Sequence, residues 1–181
     1  MRIAILGYSG SGKSTLAKYL SEWYGIPALY LDTVKFTAGW KERDREEAMA
    51  MVSAFMEQAD WVIDGNYTSF HQRRRLEEAD RVVFMNFNRW NCLVRAIRRY
   101  RRYKGKARES MAAGCKEKLD LSFVWWILWQ GRTRRRKKKY AAILRDYGDK
   151  TVVLHNQREL NRFMESPFAD GSTCENTSRV G

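Results

Sequence analysis

The sequence predicts an α/β fold in which a five-stranded parallel sheet is flanked by helices and carries a basic helical lid. Three observations predict it. Short apolar runs alternate with helical patterns from the first residues to about residue 165. A glycine-rich turn, Gly7-Tyr8-Ser9-Gly10-Ser11-Gly12-Lys13-Ser14-Thr15, joins the first run to the first helical pattern. Between Arg89 and Lys139 there are eighteen Lys/Arg and three Asp/Glu, so the whole positive excess of a chain with net charge +13 sits in one block.

Ile3 to Leu6 form an apolar run that predicts a buried first strand. Leu16, Ala17, Tyr19 and Leu20 open a helix that Gly25 and Pro27 stop near Tyr24. Ala28 to Leu31 predict a second strand, followed at once by Asp32. Asp44-Arg45-Glu46-Glu47 reads as a capping box for a helix with Ala48, Met51, Val52, Phe55 and Met56 on one face. Trp61 to Ile63 predict the third strand, ending in Asp64-Gly65-Asn66-Tyr67. A short polar helix over Phe70 to Glu78 leads to a fourth strand from Arg81 to Phe87. Asn88 caps a basic helix running to Tyr103, and Gly105 breaks it. Residues 106–120 are polar and weakly patterned, the expected lid loop. Leu121 to Arg145 read as one long helix, Lys150 to Leu154 as the fifth strand and Arg158 to Met164 as the last helix. The expectation is one domain over 1–165, with a lid region at about 104–139 and a disordered Ser/Thr/Gly/Asn-rich tail over 166–181.

The turn fits G-x-x-x-x-G-K-[ST], the phosphate-binding loop, and this makes the predicted fold that of the P-loop NTPases. The physics is local. A strand, a glycine loop and a helix start aim main-chain N–H groups and a positive helix end at one spot. Gly7 through Thr15 are therefore the expected nucleotide-binding residues, with Lys13 reaching the β/γ-phosphates and the Ser14 hydroxyl holding Mg²⁺. The expected cofactors are ATP and Mg²⁺.

Further chemistry is expected where the strands end, since ligands of open parallel sheets bind at their carboxyl edge. Asp64 ends an apolar strand as a Walker B aspartate does and is the second expected Mg²⁺ residue. Asp32 ends the second strand, placed to order Mg²⁺ through water or to take a proton from an attacking hydroxyl. Arg95 and Arg99 lie four apart on one helix face, and Arg98 and Arg102 repeat this one row over. Guanidinium forks suit the charge that spreads over a migrating phosphoryl group. The run Arg132 to Lys139 covers every face of a helix, so only one or two of its members can close over a nucleotide. Trp125 and Trp129 share the face of Leu121 and Leu128 and are expected to pack inward. Trp126 lies off that face.

Other classes are excluded. The guanine-reading N-K-x-D pattern is absent, and 181 residues leave no room for motor or helicase additions. The longest apolar run, Phe123 to Trp129, falls well short of the roughly 18–20 residues of a membrane span. A chain that opens on a strand predicts no leader peptide. Three cysteines, Cys92, Cys115 and Cys174, fit no metal spacing and are expected as reduced thiols in a cytoplasmic protein. His71 and His155 are expected to be structural or surface residues.

On these motifs the chain resembles the adenylate-kinase-like small P-loop kinases. Within them it is most similar, over residues 1–165, to the DNA topology modulation proteins, through the loop, the aspartate after the second strand, Trp61-Val62-Ile63-Asp64-Gly65-Asn66-Tyr67 and the tryptophan-rich helix. The resemblance implies phosphotransfer from ATP. It also implies that Arg95 and Arg99, in Leu93-Val94-Arg95-Ala96-Ile97-Arg98-Arg99, take the nucleotide- and phosphate-binding arginine positions. Asp32 falls where shikimate- and gluconate-type kinases use an aspartate beside the acceptor hydroxyl. The chain departs from adenylate kinases at Asn66-Tyr67-Thr68, which replace Phe-Pro-Arg, so AMP is not the implied acceptor. The expected catalytic residues are Lys13, Asp32, Arg95 and Arg99, acting on a nucleotide or small molecule. The alternative is a nucleotide-dependent nucleic-acid-binding protein that uses the basic block as a phosphate-tracking surface.

Overall fold

The computed structural model describes residues 1–104, Met111, Cys115 and 119–168. The expected lid loop falls largely, and the expected disordered tail almost wholly, outside the described residues, as does Cys174.

Strand β1 (Arg2–Gly7) is the middle of the sheet. Its side chains Ile3 to Leu6 are fully buried because helices cover both faces of a parallel sheet. Helix α1 (Lys13–Tyr24) follows the loop and ends at Gly25, whose left-handed backbone lets its N–H donate to Ser21 O. Strand β2 (Ala28–Tyr30) passes straight into a one-turn helix α2 (Leu31–Lys35). Then come a small antiparallel hairpin, β3 (Phe36–Thr37) and β4 (Lys41–Glu42), and helix α3 (Arg45–Met56). Asp44 caps α3 by accepting from the N–H groups of Glu46 (2.9 Å) and Glu47 (3.0 Å), while the Glu47 side chain pairs with Arg43. Strand β5 (Trp61–Asp64), helix α4 (Gln72–Glu78) and strand β6 (Arg81–Met85) complete the first half.

Helix α5 (Arg89–Tyr103) starts at Asn88, whose side chain accepts from Asn91 N–H (2.8 Å). Strand β7 (Thr151–Leu154) and helix α8 (Gln157–Glu165) close the domain. The sheet order is β2-β5-β1-β6-β7, and every pairing is parallel. The five expected strands are all present. This is the expected P-loop α/β fold: the strand carrying the glycine loop sits centrally, and Asp64 ends the strand beside it, paired with Ile5.

Three local expectations are corrected. The single helix expected from Leu121 to Arg145 is two, α6 (Leu121–Leu128) and α7 (Arg134–Tyr147), joined by a 3₁₀ turn over Gln130–Arg132. Separate caps make the break. Asp120 accepts from Phe123 N–H (2.8 Å), and Thr133 caps α7 toward Arg136 N–H (3.4 Å). Gly131 is the residue that fits the bend, since a Cβ there would stand 2.8 Å from Trp126 O. The second strand stops at Tyr30, and Asp32 lies in the first turn of α2. The hairpin of β3 and β4 is new; Gly39, at φ 74°, turns it.

Candidate functional site

The glycines of the loop are forced by proximity. Gly10 has φ 80°, and a Cβ on it would sit 2.5 Å from the carbonyl oxygen of Cys92 on α5. Gly12 has φ 99°, and a Cβ there would overlap the Arg95 guanidinium. Only glycine takes both the left-handed backbone and the close approach. Gly12 caps α1 with its backbone alone, so the first N–H groups of the helix keep no side-chain partner at its positive end.

Lys13 opens α1, and its Nζ donates to Tyr8 O across the loop (3.2 Å). Ser14 Oγ donates to Asp64 Oδ2 at 2.6 Å, joining the helix start to the end of β5. Asp64 Oδ1 and Ser11 Oγ are buried without a hydrogen-bond partner. Burial pushes the Asp64 carboxyl above its ordinary range, against the pull of Lys13 and the Ser14 hydroxyl. An orphaned carboxylate oxygen beside a serine hydroxyl is a hard-oxygen donor set, and it fits Mg²⁺. Among the described residues no cluster of three or more His, Cys, Asp or Glu forms a cage.

The segment after Asp64 ties the loop to Asp32. The Asn66 side chain closes on Gly7, accepting from its N–H (3.1 Å) and donating to its carbonyl (2.6 Å). Tyr67 Oη donates to Asp32 Oδ1 at 2.7 Å. Burial, followed by the Asp32 charge, pushes the Tyr67 hydroxyl pKa far up, so it stays a donor. Beneath them Arg75 is fully buried and donates to the carbonyls of Phe70 (2.8 Å), Gly65 (3.3 Å) and Tyr67 (2.8 Å). Burial brings its pKa down to about 10, with the Asp64 carboxylate pulling the other way.

The two expected arginines part company. Arg95 lies against Gly12, bonds Gln157 Oε1 and sits 5.0 Å from the Phe87 ring centroid. Arg99, one turn on, rests 5.8 Å from the Phe123 ring centroid on α6. The arginine that does reach the loop from the lid side is Arg132. Its guanidinium lies 3.7 Å above the Tyr8 ring centroid and donates to Phe87 O (2.6 Å) and Ile127 O (3.3 Å). Trp126 Nε1 donates to Ser9 Oγ (3.1 Å), with the Arg136 guanidinium 4.4 Å from its ring centroid. The expected orientation of the tryptophans is therefore reversed. Trp126 faces the loop, while Trp125 and Trp129 stack on each other at 4.3 Å and are about half exposed.

The structure thus gathers Gly7 to Ser14, Asp64, Asp32 and Arg95 at the carboxyl edge of the sheet, with Thr15 exposed on α1. Sequence reasoning passed over Asn66, Tyr67 and Arg75 as site residues. The Asp-Gly turn after an apolar strand was the signal that this segment borders the loop.

Solved structures with similar folds include small kinases. A shikimate kinase from Acinetobacter baumannii, in complex with shikimate, aligns at TM-score 0.56 and 19% identity, over 91% of this chain and 88% of that one. A shikimate kinase from Bacteroides thetaiotaomicron aligns at TM-score 0.50 and 18% identity, over 91% and 94%. A deoxyadenosine kinase from M. mycoides aligns at TM-score 0.48 and 15% identity, over 91% and 97%. No protein-family model matches the sequence, and no curated protein sequence matches it.

Proposed function

We propose that the protein is a Mg·ATP-dependent phosphotransferase whose acceptor is a small molecule or nucleotide. One observation carries the reading: the Ser14–Asp64 hydrogen bond at the floor of the glycine loop, with Asp64 Oδ1 left over for a ligand. Mg²⁺, when bound, would neutralise phosphate charge and order its waters.

The chain's own residues divide the remaining work. The loop amides and Lys13 hold the phosphates. Lys13 donates to a main-chain carbonyl and can exchange that contact for a phosphate oxygen. Asp32 is exposed at the acceptor side, where a carboxylate orients a hydroxyl and receives its proton. Tyr67 holds that carboxylate in place. Arg95 against Gly12 and Arg132 over the Tyr8 ring, both beside Phe87, stabilise charge on the transferred group. Arg99, beside Phe123 on α6, is the further arginine assigned to this task. Cysteine usage supports a cytoplasmic setting. The narrower resemblance, to DNA topology modulation proteins, rests on the Asp64–Tyr67 segment and the tryptophan-rich helix and adds no reaction.

The test is transfer of labelled γ-phosphate from ATP to a panel of shikimate, deoxynucleosides and nucleoside monophosphates. Transfer to one class, lost in Lys13→Ala, supports the proposal. Full transfer by Lys13→Ala, or no turnover with any acceptor or water, overturns it.

A further inference from the structure

Large apolar side chains of α6 and the residue after it are exposed. Leu121 is 87% exposed, Trp125 51% and Trp129 46%. On the helix packed against it, α5, Trp90 is 62% exposed and Val94 45%. Exposed basic residues adjoin this pair of helices in the chain. Arg98, Arg101, Arg102 and Lys104 are exposed at the end of α5, and Arg134, Arg135, Lys137 and Lys138 on α7. Asp120 is the one acidic residue among the described residues from 89 to 139. The nucleotide-site proposal uses none of the five apolar side chains.

We propose that this face docks the protein on an anionic phospholipid bilayer. Indole rings prefer the headgroup boundary, and exposed aliphatic side chains beside them reach toward acyl chains. A polybasic fringe then adds attraction to anionic headgroups, as on a cytoplasmic leaflet. Two other occupants fit less well. A second copy would bring two strongly positive blocks together. A single-stranded nucleic acid would use the cations and an indole face, but Trp125 and Trp129 already stack on each other, and Leu121 and Val94 offer a base no platform. Among the described residues no helix is long and apolar enough to cross a membrane, so the contact is a surface one.

The experiment is co-sedimentation of the full chain with phosphatidylcholine vesicles, with and without phosphatidylserine, alongside Trp125→Ala/Trp129→Ala. The wild type is expected to pellet only with phosphatidylserine present and to be released by salt. The double variant is expected to lose about tenfold or more in partitioning, with its thermal midpoint unchanged. The proposal fails if phosphatidylserine gives no binding, or if the double variant binds as well as the wild type, which would leave charge alone. It fails equally if the tryptophans support an oligonucleotide complex or a dimer while vesicles stay unbound. Nucleotide binding is not part of this readout, so the docking face and the phosphotransferase proposal stand or fall separately.

Discussion

The Asn66 side-chain amide grips both main-chain polar groups of Gly7, accepting from the N–H at 3.1 Å and donating to the carbonyl at 2.6 Å. Asn66 is two residues beyond Asp64 and one before Tyr67. The strand end that anchors the Ser14 hydroxyl therefore also sets where the glycine loop begins and where Asp32 is held.

Asn66→Ala breaks both hydrogen bonds while leaving the motif intact. The expected cost is about 1–3 kcal/mol of stability, with about tenfold weaker nucleotide binding as the loop entry loosens. Urea unfolding and a nucleotide titration of the variant check this. Asn66→Asp keeps the acceptor but removes the donor to Gly7 O, and adds negative charge beside the phosphate site. Its nucleotide affinity should fall below that of Asn66→Ala.

Asp64 makes stability depend on pH with a definite sign. Its folded carboxyl titrates above the ordinary value of 3.8 because burial disfavours the charge. The native state thus holds this proton more tightly than the unfolded chain does. The stability it contributes is full below pH 3.8 and is lost as pH rises through the raised native pKa. Asp64→Asn removes that decline. In a pH series of thermal midpoints, wild type should fall progressively relative to the variant over this window, and the variant should lose Mg²⁺-dependent turnover. Parallel curves would contradict the assignment.

Gly10→Ala and Gly12→Ala should differ in kind. The new Cβ at Gly10 meets the main-chain oxygen of Cys92, which α5 holds fixed. About 2–4 kcal/mol of stability is expected to go. The new Cβ at Gly12 meets the mobile end of Arg95, which can swing away. Its stability loss should be about 1–2 kcal/mol, from the positive φ, with most of the damage in turnover. Thermal midpoints measured together with turnover separate the two.

Arg132→Lys keeps the charge but loses the planar fork that bridges Phe87 O and Tyr8. Turnover should drop about tenfold or more while nucleotide affinity changes little. Steady-state kinetics and a binding titration on the same variant distinguish this from simple loss of binding.

The parts of this fold that were legible in the sequence are those written in contiguous residues. Strand, glycine loop and helix follow each other in one run from Ile3 to Leu20, so both the central strand and the glycine loop could be read locally. Asp44 and Asn88 announced their helices because a cap is a contact with the next three residues. What stayed hidden depends on distant neighbours. Trp126, within α6, meets its partner Ser9 117 positions away in the chain, a contact no local pattern announces. Thr133 was readable as a cap only once the run of basic side chains was not forced into one helix. Asn66 and Arg75 earn their roles from carbonyls that only the folded chain brings to them. Arg95 and Arg99 share a helix face, yet what each meets is decided by Gly12 and by α6.

The most direct test of the account is a calorimetric titration of the protein with ATP and magnesium, repeated on Lys13→Ala. Saturable heat with one site per chain in the wild type, and its loss in the variant, is the predicted result. The same heat in both proteins, or none in either, would contradict the claim that this loop holds a triphosphate.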